Sequence, residues 1–375
     1  MTNLIMVAAG WLLGWWAFGR PTSVDALPGS RRATSAPHSA ATERPAISLI
    51  IPARNEATSL PLLLSDLASA RPTGAQVMVV DDHSTDDTAA LAAAFDFVRV
   101  IAAPQLPAGW TGKSWACATG AAAASGDVLV FIDADVRVSD GALDRLIDEH
   151  ERVGGLVSVQ PWHRTVRPYE RLSALFNVVA LMGTGAGSRA AASGAFGPLL
   201  VTSRADYELA GGHEAVRAEV VDDLALARQY REAGRPVHLY TGGRAVQFRM
   251  YPDGVRSMLE GWTKNFASGA GTTAPLRLGA TVVWVTSLGG TVGVFADALN
   301  DSVPLAVGPL VYVLFVAQIG WMFRQSGSFG RLTALVYPAL MVFFVVVFAR
   351  STWRTYVRRS VAWRGRLVPL RASRP

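Results

Sequence analysis

Two carboxylates separated by one residue stand at the end of an apolar run. Asp133 and Asp135 follow VLVFI directly, within the stretch LVFIDADVRV that spans Leu129 to Val138. In a continuing strand they would share one face, and because like charges at close range repel, a cation is their natural partner. Oxygen ligands favour Mg²⁺ or Mn²⁺ over zinc, and the sequence has no HExxH motif or Cys/His cluster. The pair therefore predicts a divalent metal site for Mg²⁺ or Mn²⁺.

Polar residues also end two other apolar runs. VVDDHSTD places Asp82 and Ser84 after one run, and IIPARNEA places Arg54 and Glu56 after another. Asp82 or Ser84 could equally cap the helix that follows, and the two roles are compatible. We expect the polar ends of all three runs to meet at one edge of a sheet.

Apolar runs and helical stretches alternate between about residues 46 and 250. Runs such as ISLIIP, QVMVVDD and DVLVFIDAD are separated by helical stretches such as NEATSLPLLLSDLASA and STDDTAALAAAF. This pattern predicts an α/β domain whose mostly parallel sheet is covered on both faces. Such sheets bind ligands at the carboxyl ends of their strands, which is where the carboxylates stand.

Two common nucleotide-binding motifs are absent from the sequence. A dinucleotide-binding turn needs GxGxxG after the first strand, but the turn here reads PARNEA. The stretch GWTGKS is not a P-loop, because Gly109 lies three residues before Gly112 rather than five. Neither a dinucleotide enzyme nor a P-loop enzyme is indicated.

The net charge of +6 does not indicate a nucleic-acid-binding protein. Arginines crowd the C-terminal stretch RSTWRTYVRRSVAWRGR beside apolar segments, where basic tails contact anionic lipid headgroups. No basic-aromatic motif typical of nucleic-acid binding is present. Cys117 is the single cysteine, which excludes an intrachain disulfide and favours a packing role.

Apolar segments at both ends predict a membrane protein. LIMVAAGWLLGWWAFG and three runs between about residues 275 and 350 approach the length of a membrane span. Arg20, Arg31 and Arg32 follow the first segment, so the positive-inside rule places the next domain in the cytoplasm. We therefore expect a multi-pass protein of the cell (inner) membrane with its catalytic domain facing the cytoplasm.

The number of crossings is constrained by the basic tail. If the tail and the catalytic domain both face the cytoplasm, an even number of crossings must join them, yet three apolar runs lie between. One run is then re-entrant or interfacial. We expect it to be the first, which is interrupted by Gly289 and Gly290, although the acidic loop ADALNDS after it would fit a full crossing.

These patterns divide the chain into six parts. The stretch before the last apolar runs mixes Trp, Phe, Met and Leu with Arg and Lys, which is typical of an interfacial helix but also of an ordinary amphipathic helix packed on the catalytic domain. The expected parts are an N-terminal transmembrane helix (1–19), a linker (20–45), the catalytic domain (46–250), the interfacial segment (251–274), the membrane segments (275–350) and a basic tail (351–375).

Four stretches of the chain resemble the family-2 glycosyltransferases. They are SLIIPARNEA, VVDDHSTDDT, VLVFIDADVRV and VVDDLALARQYREAG. More narrowly, LPAGWTGKSWACATG, AGGHEAVR, RMYPDGVRSMLEGWTKNFASGAG and VAWRGR resemble the membrane-bound branch that glycosylates carotenoids, the diaponeurosporenoate type. The resemblance implies a GT-A-type, Rossmann-like nucleotide-sugar domain with transmembrane helices on both sides.

The resemblance also implies roles for individual residues. Asp133 and Asp135 would hold the metal on the diphosphate of a UDP-sugar, and Asp223 stands where the family places its general base. Because the family commonly has Glu-Asp there and this chain has Asp222-Asp223, which of the two acts stays open. The only lysines, Lys113 and Lys264, lie in Gly- and Trp-containing stretches and could contact phosphate or sugar. The expected nucleotide-sugar contacts are Pro52, Ala53, Arg54, Glu56, Asp82, Lys113, Asp133 and Ala134, and those on the acceptor or phosphate side are His213, Trp262 and Lys264.

The function expected from these features is an inverting glycosyltransferase that moves a hexose, with glucose as the first candidate, from a UDP-sugar to a lipid-like acceptor such as a carotenoid. A polysaccharide synthase of the same family is the alternative, although FRMYPDG stands where processive members carry QxxRW. A non-catalytic nucleotide-sugar or lipid-binding membrane protein would tolerate damaged metal or base positions, which are intact here. A phosphohydrolase that uses DxD as nucleophile and acid would leave the other strand ends unexplained.

Overall fold

The computed structural model describes residues 2–29, 45–188, 192, 194–219, 221–353, 360–363 and 366–369, without the side chains of 264–272 or of residues beyond 353. Most of the expected linker, most of the basic tail and the side chain of Lys264 therefore lie outside the described part. The chain forms two compact units. An α/β unit contains Thr22–Trp162 and Ala191–Arg249, and a helical unit contains Met1–Pro21, His163–Ala190 and Met250–Pro375.

The α/β unit is built on a seven-stranded sheet with the order β3-β2-β1-β4-β8-β6-β9. β1 runs parallel to both of its neighbours, whereas β8 is antiparallel to β4 and β6, so the predicted mostly parallel sheet is confirmed. The strands of this sheet are β1 (Ile47–Ala53), β2 (Gln76–Asp81), β3 (Val98–Ala102), β4 (Val128–Ile132), β6 (Leu156–Gln160), β8 (Leu199–Ser203) and β9 (Val237–Thr241). A separate three-stranded sheet has the order β5-β10-β7 and consists of β5 (Val136–Val138), β7 (Trp162–His163) and β10 (Val246–Phe248).

Helices cover both faces of this sheet. Leu49, Ile50 and Ile51 of β1 are all fully buried, and because successive side chains of a strand point to opposite faces, neither face is open to water. Gly120 lets one helix pack tightly, since a Cβ there would overlap the Ile50 side chain. The helices of this unit are α2 (Leu60–Ala70), α3 (Thr88–Ala93), α4 (Gly112–Ala123), α5 (Ala142–Val153), α7 (Arg204–Leu209), α8 (Gly212–Ala215) and α9 (Asp222–Glu232).

The helical unit contains three segments long and apolar enough to cross a membrane, Pro275–Leu299, Val307–Ser326 and Thr333–Trp353. The N-terminal helix is shorter, at 17 residues. The elements are α1 (Thr2–Phe18), α6 (Ala174–Thr184), α10 (Val255–Thr272), α11 (Pro275–Leu299), α12 (Val307–Ser326), α13 (Tyr337–Trp353), the 3-10 helices Pro168–Ser173 and Thr333–Val336, and the paired strands β11 (Ser360–Trp363) and β12 (Arg366–Pro369).

α1 lies antiparallel along α11. Asn3 donates to Asp297 at 3.1 Å near one end of the pair. At Gly10 a Cβ would overlap Ser287, so the small residues of α1 allow the two backbones to approach closely, as in membrane helix pairs.

Gly289 and Gly290 do not interrupt α11, which runs unbroken from Pro275 to Leu299. The expectation that the first apolar run is the interrupted one was therefore wrong. The Cβ position of Gly289 lies 3.5 Å from the Met341 sulfur, and that of Gly290 lies 2.9 Å from a Val7 methyl. Gly290 therefore leaves room for α1, whereas a Cβ at Gly289 would make only an ordinary contact with α13. A sequence alone does not reveal this packing.

The third apolar segment begins and ends beside elements at one end of the helical unit. Just after α12, the Phe329 ring lies 5.7 Å from that of Phe323 in the last turn of α12. At the far end of α13, Ser351 Oγ donates to the Thr263 carbonyl at 2.6 Å. Thr263 belongs to α10, which precedes α11 directly. The segment therefore returns to the end of the unit where α12 stops and α11 starts.

Contacts of α6 support this path. The Phe176 ring of α6 lies 4.9 Å from Phe344 in the middle of α13. Asn177 contacts His163 at 3.2 Å, and the His163 carbonyl accepts from the Ser328 amide just after α12. α6 thus contacts the middle of α13 and is linked through His163 to the segment that follows α12.

Candidate active site

The ends of β1 and β2 meet as the sequence predicted. Asp82 donates its amide to the Ala53 carbonyl at 2.8 Å, and Arg54 Nη1 donates to the Asp82 carbonyl at 2.8 Å and to its carboxylate at 3.3 Å. The Asp82 side chain is buried. The expected nucleotide-pocket residues of the two strands therefore form one hydrogen-bonded group, with Pro52 in β1 and Glu56 in the loop after it.

Asn55, one of the polar residues that follow β1, was given no site role by sequence reasoning, yet it ties these two strand ends together. Its amide donates to Ser84 Oγ at 3.0 Å, and its side-chain oxygen accepts from the Thr85 amide at 2.8 Å. Both Asn55 and His83 have positive φ, 54° and 56°, a backbone conformation that is costly outside glycine and clusters at functional sites. An Asn directly after a strand, with polar residues following the neighbouring strand, was the available signal.

A second group surrounds the DxD stretch. Lys113 Nζ lies 2.6 Å from Asp133 Oδ1 and 2.8 Å from Oδ2. Asp135 is partly buried in the turn between β4 and β5, and Ala134 between the two carboxylates is buried. Burial alone would lower the pKa of the Lys113 ammonium, but the negative charges of Asp133 and Asp222 raise it above the usual range. The lysine therefore stays charged.

The expected base lies at the start of α9, across a narrow cavity from Asp133. One Asp223 oxygen accepts from the Gly197 amide at 2.9 Å and the other from the Leu224 amide at 2.8 Å. A helix N-terminus also favours negative charge. The cavity is lined by Lys113, Cys117, Phe131, Asp133, Gly197, Leu200, His213, Asp222, Asp223 and Leu226.

The Asp223 carboxyl has an unusual pKa. Burial and then the Asp222 charge raise its pKa to about 6, against the lowering effects of Lys113 and of the two backbone amides. A carboxyl with a pKa near the working pH is suited to proton transfer. This favours Asp223 over Asp222 as the base.

His213 and Cys117 complete the cavity wall as neutral groups. His213 is buried, its Nδ1 lies 3.0 Å from the Tyr207 hydroxyl, and burial lowers its pKa to about 4. Burial raises the pKa of the Cys117 thiol, so the thiol stays protonated and is a poor nucleophile. The predicted packing role of Cys117 fits this environment.

Trp262 has a different setting, in the helical unit. Its ring is buried, stacks on Phe176 at 4.8 Å and donates from Nε1 to Ser173 Oγ at 3.0 Å. These contacts are those of a packing residue of α10. The expected acceptor contact at Trp262 stays a prediction.

The residues around DxD suit a hard divalent cation. Within the described ranges, no group of three or more His, Cys, Asp or Glu side chains is placed so that it could hold a metal ion by itself, but Mg²⁺ and Mn²⁺ often use one or two carboxylates together with substrate phosphates and water. The Lys113 ammonium pairs with both oxygens of Asp133, so positive charge is favoured at this position. Asp133 and Asp135 therefore fit the expected metal, with a phosphate-bearing substrate supplying further oxygens.

Comparisons with known proteins agree with the fold and the motifs. Residues 48–189 match the family model "Glycosyl transferase family 2". The chain is 34% identical over 329 residues to the 4,4'-diaponeurosporenoate glycosyltransferase of Staphylococcus aureus strain MRSA252, covering 86% of this chain and 88% of that one, and 33% identical over the same length to that of strain USA300.

A solved structure shares the architecture. The mannosyltransferase of Pyrobaculum calidifontis, in complex with GDP-Man and Mn²⁺, superposes with a TM-score of 0.53 at 18% identity, covering 93% of this chain and 99% of that one. This likeness confirms the GT-A-type fold with apolar helices attached. The family model and the relatives from Staphylococcus aureus confirm the resemblance seen in the four sequence stretches. The chain belongs to glycosyltransferase family 2.

Proposed function

We propose that the protein is an inverting, metal-dependent glycosyltransferase of the membrane that moves a hexose, glucose by first choice, from a UDP-sugar to a carotenoid-like acceptor. The observation that carries this proposal is the cavity that Asp223 and Asp133 share, with Lys113 between donor-side and base-side carboxylates. A base and a leaving-group site on facing walls suit a single displacement at the anomeric carbon. No enzyme nucleophile is required.

The residues divide the work of this reaction between them. Asp82 and Arg54 offer a hydrogen-bonding edge for the uracil at the ends of β1 and β2. Asp223 accepts the proton of an acceptor hydroxyl as the hydroxyl attacks. When bound at Asp133 and Asp135, the divalent metal would stabilise the charge that develops on the leaving diphosphate. Lys113 balances the negative charge of Asp133 and Asp222.

The acceptor class rests on the relatives and on the apolar helices. The Staphylococcus aureus relatives are named for 4,4'-diaponeurosporenoate, a carboxylate, and they align with 86% of this chain. Three helices with the length and composition of membrane spans suit an acceptor that reaches the enzyme from a bilayer. A polysaccharide synthase is the weaker candidate, because FRMYPDG replaces the processive signature.

Purified full-length protein is expected to transfer glucose from UDP-glucose to a lipid-soluble acceptor in a cellular lipid extract. Mass spectrometry of the organic phase should show a product heavier than its parent by one hexose residue, and UDP release should depend on the extract. GDP-mannose is the donor control. A water-soluble oligosaccharide as the sole product would contradict the lipid acceptor, and no UDP release with any extract would contradict the enzyme proposal.

We also propose a topology in which the catalytic domain and the C-terminus both face the cytoplasm. α11 and α12 form two crossings, and the third apolar segment returns to the side where α12 ends, as the contacts of Phe329 and Ser351 indicate. This gives the even number of crossings that the basic tail requires. The third segment, rather than the first, is then re-entrant.

A cysteine introduced as Ser373→Cys is expected to react with a membrane-impermeant maleimide only after the cytoplasmic side is opened. Ser302→Cys, at an exposed position between α11 and α12, should react from the outside in intact cells. Native Cys117 is buried and should give little background. Labelling of both introduced cysteines from the outside would mean three true crossings.

A further inference from the structure

An open apolar groove of about 400 Å³ runs along α1 and α11 in the helical unit. Its volume lies within the range of small-ligand sites. The side chains are apolar, and several are exposed, including Leu276 at 73% and Trp16 at 49%. The groove is lined by Leu13, Trp16, Pro275, Leu276, Gly279, Ala280 and Val283.

Arg277 is in the first turn of α11, between the lining residues Leu276 and Gly279. The Arg277 guanidinium lies 5.6 Å from the Trp16 ring centre, over its face, and one N–H reaches the Ala17 carbonyl at 3.4 Å. No described carboxylate forms an ion pair with it. Gly185 leaves space for the guanidinium, since a Cβ at residue 185 would lie 2.9 Å from Cζ of Arg277.

Arg277 lies where two helix ends meet, the first turn of α11 and the last turn of α1, whose carbonyl end favours a positive charge. A positive side chain in the first turn opposes the helix dipole, and this turn has neither an acidic residue nor a side-chain cap. Within the described residues, no carboxylate balances the charge of Arg277. Trp and Arg together are typical of headgroup depth in a bilayer.

Gly279 deepens the groove one residue beyond that turn. A Cβ at this position would have no heavy atom within 4 Å, so no protein neighbour requires a glycine. Glycine within a helix costs about 1 kcal/mol relative to alanine. Close approach of a chain that is not part of the protein would offset that cost.

We propose that this groove binds one anionic phospholipid, with an acyl chain along Leu13, Gly279 and Val283 and the phosphate at Arg277. The apolar length of the groove suits a hydrocarbon chain. The Arg277 guanidinium at its end has no described carboxylate partner and suits a phosphate diester. The proposal concerns a lipid held by the helical unit and does not depend on the sugar transferred.

Lipid binding to the purified full-length protein can be measured by native mass spectrometry with phosphatidylglycerol and phosphatidylcholine of identical chains. Phosphatidylglycerol should bind more tightly, and Arg277→Gln should weaken it about fivefold, as expected for one arginine near a membrane surface. Gly279→Leu should weaken both lipids by filling the groove. Arg350→Gln and Val292→Leu, exposed positions on α13 and α11, are the matched controls.

A photoactivatable phosphatidylglycerol should label the lining of α1 and α11, and Gly279→Leu should remove that label. The proposal is overturned if Arg277→Gln keeps the preference for phosphatidylglycerol or if the label falls elsewhere. It is also overturned if a carotenoid acid binds to the protein and phosphatidylglycerol does not. Loss of binding in the Arg350→Gln control would equally overturn it. Glycosyl transfer can persist in either case, so this test is separate from that of the enzyme.

Discussion

Asp223→Asn is expected to lower the rate of transfer to a hydroxyl acceptor by about 10²–10⁴-fold, the usual contribution of a general base. The amide keeps the shape of the carboxyl, and its oxygen can still accept from the Gly197 or Leu224 amide. The fold should therefore survive. The measurement is the initial rate of UDP release with saturating donor, alongside thermal unfolding of the variant.

The pH dependence gives an independent test of the same residue. A base works in its deprotonated form, and the pKa of Asp223 is raised to about 6 by burial and by Asp222, so the rate should rise with pH through about 6 and then level. Asp222→Asn removes a neighbouring negative charge and should move that rise to lower pH. A variant series in which Asp222→Asn stops transfer and Asp223→Asn spares it would exchange the two roles.

The chemistry of the acceptor changes this expectation in a measurable way. A carboxylic acid acceptor is already ionised near neutral pH and has no proton to lose. Asp223→Asn should then slow ester formation much less than ether-type transfer to a hydroxyl, unless the residue also positions the acceptor. Comparing one acid and one alcohol acceptor on the same variant separates the two cases.

The polar ends of the strands were predictable because the signal is local. Asp82, Asp133 and Arg54 each follow an apolar run within a few residues, and a parallel sheet brings such ends together by its topology. The sheet order and the antiparallel β8 were not predictable from these runs. β8 pairs with β4 although about 70 residues separate them, as the register Val128 to Ser203 shows.

The partners of the site residues depend on packing between distant segments. Lys113 meets Asp133 only because α4 packs on β1 and β2. Asp223 is held by the Gly197 amide, and no local sequence pattern marks Gly197 as its partner. The prediction that glycines interrupt α11 was wrong for the same reason. Gly290 suggests a helix break in the sequence, yet it leaves room for Val7 of α1, a residue far away in the chain.

The structure also separates the two carboxylates of the DxD stretch. Asp133 is ion-paired with Lys113 by both oxygens, and the two side chains are 26% and 37% exposed. Replacing Asp133 therefore removes a metal ligand and leaves a partly buried ammonium without its main partner. Asp133→Asn should cost about 1–3 kcal/mol of unfolding free energy, so lost activity in that variant alone is ambiguous.

Asp135→Asn is the sharper test, and we expect it to abolish metal-dependent turnover while the protein stays folded. A metal that neutralises a leaving diphosphate is worth several kcal/mol, so the loss should be about 10³-fold. Mn²⁺ binding, followed by electron paramagnetic resonance in the presence of UDP, should weaken in parallel. The double variant Lys113→Met with Asp133→Asn is the control: it should regain stability relative to Asp133→Asn without regaining turnover. Full activity of Asp135→Asn at limiting Mn²⁺ or Mg²⁺ would remove this residue from the metal site and leave the Lys113 ammonium as the cation that faces the diphosphate.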